Sequence, residues 1–211
     1  MKKIFTLFLL TALTAGCGSS YLKNSTVVNP EKKSYDKILV IARSKDNTAR
    51  ISFENQVVAD LAAQGIKAET SALVIKQSMF GQELTESQIE TLRKNIISNG
   101  YDGVLVTNLV NTNQYRNVTP GGVSTTYVPV RYGRFGRYYR AYPVSYWEPD
   151  RVEEGVEYTL ETCLYDVTQS KGDNLQWIGR FQVRNPSDLT NTIANYSKEL
   201  TEELIAKSIQ N

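Results

Sequence analysis

The stretch that most restricts the fold is KILVIAR, Lys37 to Arg43. Its apolar residues run through Ile38, Leu39, Val40, Ile41 and Ala42 without alternating with polar ones. A strand that is apolar on both faces of the pleat must be covered on both, so this run predicts a buried central strand. The chain after it supplies covers. Asn47 or Thr48 caps a helix to about Gln64, with Phe53, Val57, Val58 and Leu61 as its apolar stripe and Gly65 as its stop. Ile66 to Ser71 reads as a short strand. Thr85 and Gln88 form a capping box for a helix that shows Ile89, Leu92 and Ile96 on one face and ends at Asn99-Gly100. Asp102 to Val110 is the next strand.

A long interruption, 111–155, separates that strand from a hairpin of Val156–Val167, a turn at 169–174, and Leu175–Arg184. The hairpin's register follows from its side chains. If paired residue numbers sum to 341, Tyr158 meets Val183, Leu160 meets Phe181 and Leu164 meets Trp177 on one face. On the other, Glu157 meets Arg184 and Glu161 meets Arg180. Each such pair is worth some tenths of a kcal/mol, and a slip by one residue would set Phe181 against Glu161. Asn185-Pro186-Ser187 then opens a last helix with Leu189, Ile193, Tyr196, Leu200 and Leu204 facing inward. The order β-α-β-α-β-(long loop)-β-β-α predicts an α/β class: one mixed sheet of about five strands with three main helices, in a single domain over 35–211.

The N-terminus predicts an address. Lys2 and Lys3 precede an apolar run from Ile4 to Ala15. A run of about a dozen residues suits a signal peptide and falls short of the roughly 20 that span a bilayer. Leu13-Thr14-Ala15-Gly16-Cys17 resembles the lipobox of bacterial lipoproteins, with Thr14 where that family usually has Leu. The resemblance implies removal of residues 1–16 and a diacylglycerol thioether on Cys17. Gly18 stands where an Asp would resemble an inner-membrane retention signal. The expected location is therefore the periplasmic leaflet of the outer membrane, lipid-anchored. Each buried methylene is worth about 0.8 kcal/mol, so two or three chains hold firmly. Residues 17–34 are polar and without period, and are expected to form a flexible tether.

Over 35–211 the arrangement resembles the small α/β domain of several envelope proteins. These are the N-terminal domain of the Tol-system propeller protein, the lipoprotein activators of penicillin-binding proteins, and the curli secretion lipoprotein. KILVIAR, Phe53-Glu54, GYDGVLVTNLV and TLETCLYDVTQSKGDNLQWIGRF carry the resemblance. It implies a fold and no catalytic residues.

Little in the chain suggests catalysis. There is no histidine, which removes Ser-His-Asp and Cys-His arrangements and imidazole-bound zinc. Cys163 lies mid-strand and reads as a small core residue. Glu157 and Glu161 share a strand face about 13 Å apart, too far for a glycosidase pair. No phosphate-binding glycine motif is present. No enzyme activity, catalytic residue, cofactor or metal is expected.

The interruption is where composition matters. Net charge is only +2, yet no residue between Asp102 and Glu148 is acidic, and five arginines fall there. Seven of the 13 tyrosines lie in the same interval. Tyr and Arg are enriched at interface hot spots, and cations beside aromatic rings bind anions and sugars. The candidate binding residues are Tyr115, Arg116, Tyr132, Arg134, Arg137, Tyr138, Tyr139, Arg140, Tyr142 and Trp147. The secretory signal argues against nucleic acid. The expected function is a membrane-anchored adaptor or assembly factor that binds an envelope protein. The alternative is a module for an anionic envelope component: a lipid head group, lipopolysaccharide or peptidoglycan. An extended β-hairpin packed on its own domain, or a floppy arm, is the reading without a partner.

Overall fold

The structure, a computed structural model, describes residues 20–44, 46–80, 84–131, 139–169 and 174–210, with side chains at all of these except 78, 127–131 and 139–144. The elements, in order, are β1 (Leu22–Val27), β2 (Ile38–Arg43), α1 (Asn47–Ala63), β3 (Ala68–Thr70), α2 (Glu86–Ser98), β4 (Gly103–Thr119), β5 (Val123–Arg131), β6 (Tyr139–Trp147), β7 (Arg151–Asp166), β8 (Leu175–Arg184) and α3 (Leu189–Lys207). Six strands form one mixed sheet in the order β1-β8-β7-β4-β2-β3, and β5 with β6 forms a second, two-stranded sheet. The α/β class is as the sequence predicts.

β2 is buried along its length up to Arg43, and its two faces serve two cores. Ile38, Val40 and Ala42 pack with Phe53, Val57 and Leu61 of α1 and Tyr196, Leu200 and Leu204 of α3. Leu39 and Ile41 pack with Ile96 of α2, Tyr101 and Val104. Parallel neighbours β3 and β4 flank β2, which leaves none of its central backbone groups to water.

Caps fix the helix ends. Asp46, one place before the expected residues, caps α1 by accepting from the Thr48 and Ala49 N–H groups. Gly65 follows the helix at φ +80°, a left-handed conformation that glycine adopts without strain. The expected Thr85–Gln88 box is present on α2. Asp188 caps α3. Ile89 and Leu189, placed inward by periodicity, are about half exposed, because the first turns of α2 and α3 reach past their cores.

The β7–β8 register is the expected one, including Leu160↔Phe181 and Glu161↔Arg180. Arg180 Nε reaches Glu161 Oε2 at 2.7 Å, and Arg184 Nε reaches Glu157 Oε2 at 2.6 Å. At the end of β7, burial alone would raise the Asp166 carboxyl. Hydrogen bonds from Lys33 and Thr168 outweigh it and hold the group below its ordinary value.

Two expectations change. Residues 22–27, read as tether, form β1, which pairs antiparallel with β8 and makes a sixth strand. β1 is an edge strand with mostly solvated side chains, so it carries no hydrophobic period. Backbone bonds hold it, together with Glu199, whose Oε2 accepts from Ser20 Oγ and from the Tyr21 and Leu22 N–H groups. The described part of the interruption is mostly strand, since β4 continues to Thr119, β5 and β6 follow, and β7 begins at Arg151.

Candidate functional site

β4 and β7 pair without a break in partnership from Gly103↔Asp166 to Thr119↔Arg151, with one bulge at Leu109/Asn111. β2 flanks β4 only as far as Asn108, and β8 flanks β7 only from Glu157. Beyond those points the two strands have only each other and form a ribbon. At its end the chain turns into β5 and β6, which pair from Val123↔Trp147 to Arg131↔Tyr139. The corner is tight. Gly121 N–H donates to Asp150 Oδ1 at 2.8 Å, and Glu148 N–H donates to the Gly122 carbonyl at 2.8 Å. A Cβ on Gly121 would collide with the Glu148 backbone.

The expected binding residues are dispersed along this ribbon. Tyr115 stands near its foot, where its hydroxyl accepts from Asn185 Nδ2 at 2.6 Å. Asn185 also accepts the Val156 N–H through Oδ1, and holds a left-handed φ of 44° that asparagine tolerates. Arg116 is paired with Glu154 at 3.0 Å, both side chains about two-thirds exposed. Trp147 is 70% exposed. Tyr139, Arg140 and Tyr142 lie in β6, where only the backbone is described. Tyr132, Arg134, Arg137, Tyr138 and Cys17 lie outside the described residues. The strand pairing thus returns acidic residues to the outer ribbon and its corner, with Glu154 and Glu153 opposite Arg116 and Asn117, and Asp150 and Glu148 beside Gly121 and Gly122. The acid-free, arginine-rich sequence is left at the far end.

At the foot of the ribbon the structure shows a feature that the sequence does not announce. An open cleft of about 540 Å³ lies between the first turns of α1 and α3, over the ends of β2 and β8 and the middle of β4 and β7. Phe53, Leu160, Val183, Ile193 and Tyr196 line it, and Leu109, Pro186 and Leu189 stand at its rim. Leu109 and Leu189 are 51% and 50% exposed. Only the exposed apolar residue at a helix start could signal this, and periodicity assigns Leu189 to the core.

The cleft is mostly apolar, and several of the polar groups around it are engaged. The Tyr196 hydroxyl lies 2.8 Å from Thr162 Oγ1, and burial raises its pKa. The Asp46 carboxylate caps α1. Beneath, Glu54 accepts from the Ala42 N–H at 2.9 Å and from the Ser71 N–H at 3.1 Å, with Arg50 Nη1 3.6 Å away. The Arg50 guanidinium lies 4.2 Å from the Phe80 ring centre. Such a cleft can take an apolar group, and among its described lining residues no nucleophile stands hydrogen-bonded to a base. Cys163 is buried, which raises its thiol pKa. Among the described residues no three metal-ligating side chains gather. No helix there is long and apolar enough to cross a membrane.

Fold and site together define a class: a small mixed α/β domain with a two-stranded ribbon rising from one end of its sheet and an apolar cleft at the ribbon's foot. No protein-family model and no curated protein matches the chain. Among solved structures it is similar to the PelC dodecamer from Paraburkholderia phytofirmans, at 12% identity and a TM-score of 0.45, over 89% of this chain and 97% of that one. It is also similar to lipoprotein GNA1162 from Neisseria meningitidis, at 13% identity and a TM-score of 0.41, over 81% and 99%. A PDZ domain protein from Parabacteroides distasonis is similar at 9% identity and 0.35, over 96% and 40%.

Proposed function

We propose that this protein is a non-enzymatic lipoprotein, anchored through Cys17 in the periplasmic leaflet of the outer membrane, that binds another envelope protein as an adaptor or assembly factor. The observation that carries this is the apolar rim of the cleft. Leu109 and Leu189 flank an open concavity, and Val118 and Val152 stand directly opposite each other farther up the ribbon, each about half exposed. Isolated exposed apolar residues need no explanation, but a cluster around a cleft marks a contact surface. A protein side chain or helix presenting one or two apolar anchors fits it.

The test is site-specific photocrosslinking in intact cells. A photoreactive residue at Leu189 is expected to give a discrete protein adduct that disappears when Leu109→Glu is added. The same group at Lys94, exposed on α2, is expected to give none. A smear of glycan or lipid from position 189 would favour the binding of an anionic envelope component, the reading that the arginines at 131, 134, 137 and 140 support. Absence of any adduct from position 189 would sink the adaptor reading.

A further inference from the structure

The N-terminal end of β1 and the ribbon lie at the same end of the domain. β1 runs antiparallel to β8, with Leu22 opposite Phe181 and the Tyr21 carbonyl accepting from the Gln182 N–H. Upstream of Tyr21 the chain therefore heads toward the Arg184 end of β8. That is also the end from which β4 and β7 rise: Tyr158 and Glu157, the last residues of β7 with β8 partners, pair with Thr112 and Asn113, and the ribbon continues from there.

The two lengths set how near the arm comes to the bilayer. Only Gly18, Ser19 and Ser20 separate Cys17 from Tyr21, a lead of at most about 14 Å. The ribbon from Thr112 to Thr119 is about 23 Å long before β5 and β6 begin. A domain held to a bilayer by so short a lead, with a longer arm on the same end, brings the arm to the head groups.

The chemistry of the arm suits that place. Val123 and Trp147 are directly opposite each other and are 66% and 70% exposed; Tyr146, on the other face, is 48% exposed. Trp and Tyr favour the membrane–water interface, where an apolar ring and a polar tip are both satisfied. The sequence between β5 and β6 adds Arg134 and Arg137 and no acid, as anionic head groups require. Acids begin at the corner below that pair, where Glu148 follows Trp147 and Asp150 Oδ1 is engaged by the Gly121 N–H. Resting on the Cys17 anchor, we propose that the β5–β6 hairpin is a membrane-contact element, seating Trp147, Tyr146 and Val123 in the head-group zone of the bilayer that holds Cys17. It acts as a second, reversible hold that orients the cleft relative to the membrane.

The protein carries its own probe. It has two tryptophans, and Trp177 is fully buried, so changes in emission report Trp147. The full lipidated chain would be reconstituted in vesicles of phosphatidylcholine and phosphatidylglycerol, with and without brominated acyl chains. The expected result is blue-shifted emission and bromine quenching, both lost in Trp147→Phe. Flotation with the vesicles but unshifted, unquenched emission would overturn the proposal and leave the anchor standing. Failure to float would remove the anchor and the proposal with it, and would leave the crosslinking test of the cleft unaffected.

Discussion

Glu54 shows how one buried charge can hold three segments. Its carboxylate, fully buried on α1, takes the Ala42 N–H where β2 has run past β3, the Ser71 N–H after β3, and the Arg50 cation one turn back. Removing one partner of a buried pair strands the other charge, at a cost of about 3–5 kcal/mol. Glu54→Ala is therefore expected to lower unfolding free energy by about that much, and urea denaturation of the purified chain reads it. A change within about 0.5 kcal/mol, as at an ordinary surface site, would show that Arg50 finds another partner. The sequence cannot reveal this role. Arg50 and Glu54 are spaced as i and i+4, the same pattern that a solvated helix face uses, and only burial separates the two cases. Cys163 is the opposite case, since a lone thiol in an apolar strand reads as core and is core.

Among elements, legibility depends on how many faces are dry. The β7–β8 hairpin has one apolar face and one face of opposite charges, so only one register satisfies both, and that register is present. β1 and the β4–β7 ribbon are wet on both sides over much of their length. Nothing selects apolar alternation there, and the pairing is carried by backbone bonds that leave no mark in side-chain pattern. The corner that joins the ribbon to its hairpin does leave a mark, in Gly121. With Asp150 accepting from its N–H and the Glu148 backbone against its α-carbon, there is no room for a methyl group. Gly121→Ala is expected to open this corner and to speed limited proteolysis between 119 and 151, while the protease resistance of β2 and α3 is unchanged. Equal cleavage rates in the two proteins would mean that the corner yields without opening.

For the whole molecule, the two cores lie on either side of β2 and, among the described residues, draw nothing from β5 or β6, which form a sheet of their own. Replacing 120–149 by a short turn is expected to leave unfolding free energy within about 0.5 kcal/mol of the parent, measured by urea denaturation. A larger loss would show that the arm packs on the domain. Excision would at the same time remove the membrane contact and spare the cleft, so the two proposed surfaces can be separated in one chain.

The sixth strand has a mechanical meaning as well. With the proposed anchor on Cys17, a pull between the membrane and a proposed partner would enter the domain at the N-terminal end of β1 and load that strand lengthwise. An antiparallel ladder pulled lengthwise is sheared, so the hydrogen bonds that join β1 to β8 resist together instead of parting one by one. When they yield, the slack between Cys17 and Tyr35 is released at once, and the domain gains reach without unfolding its core.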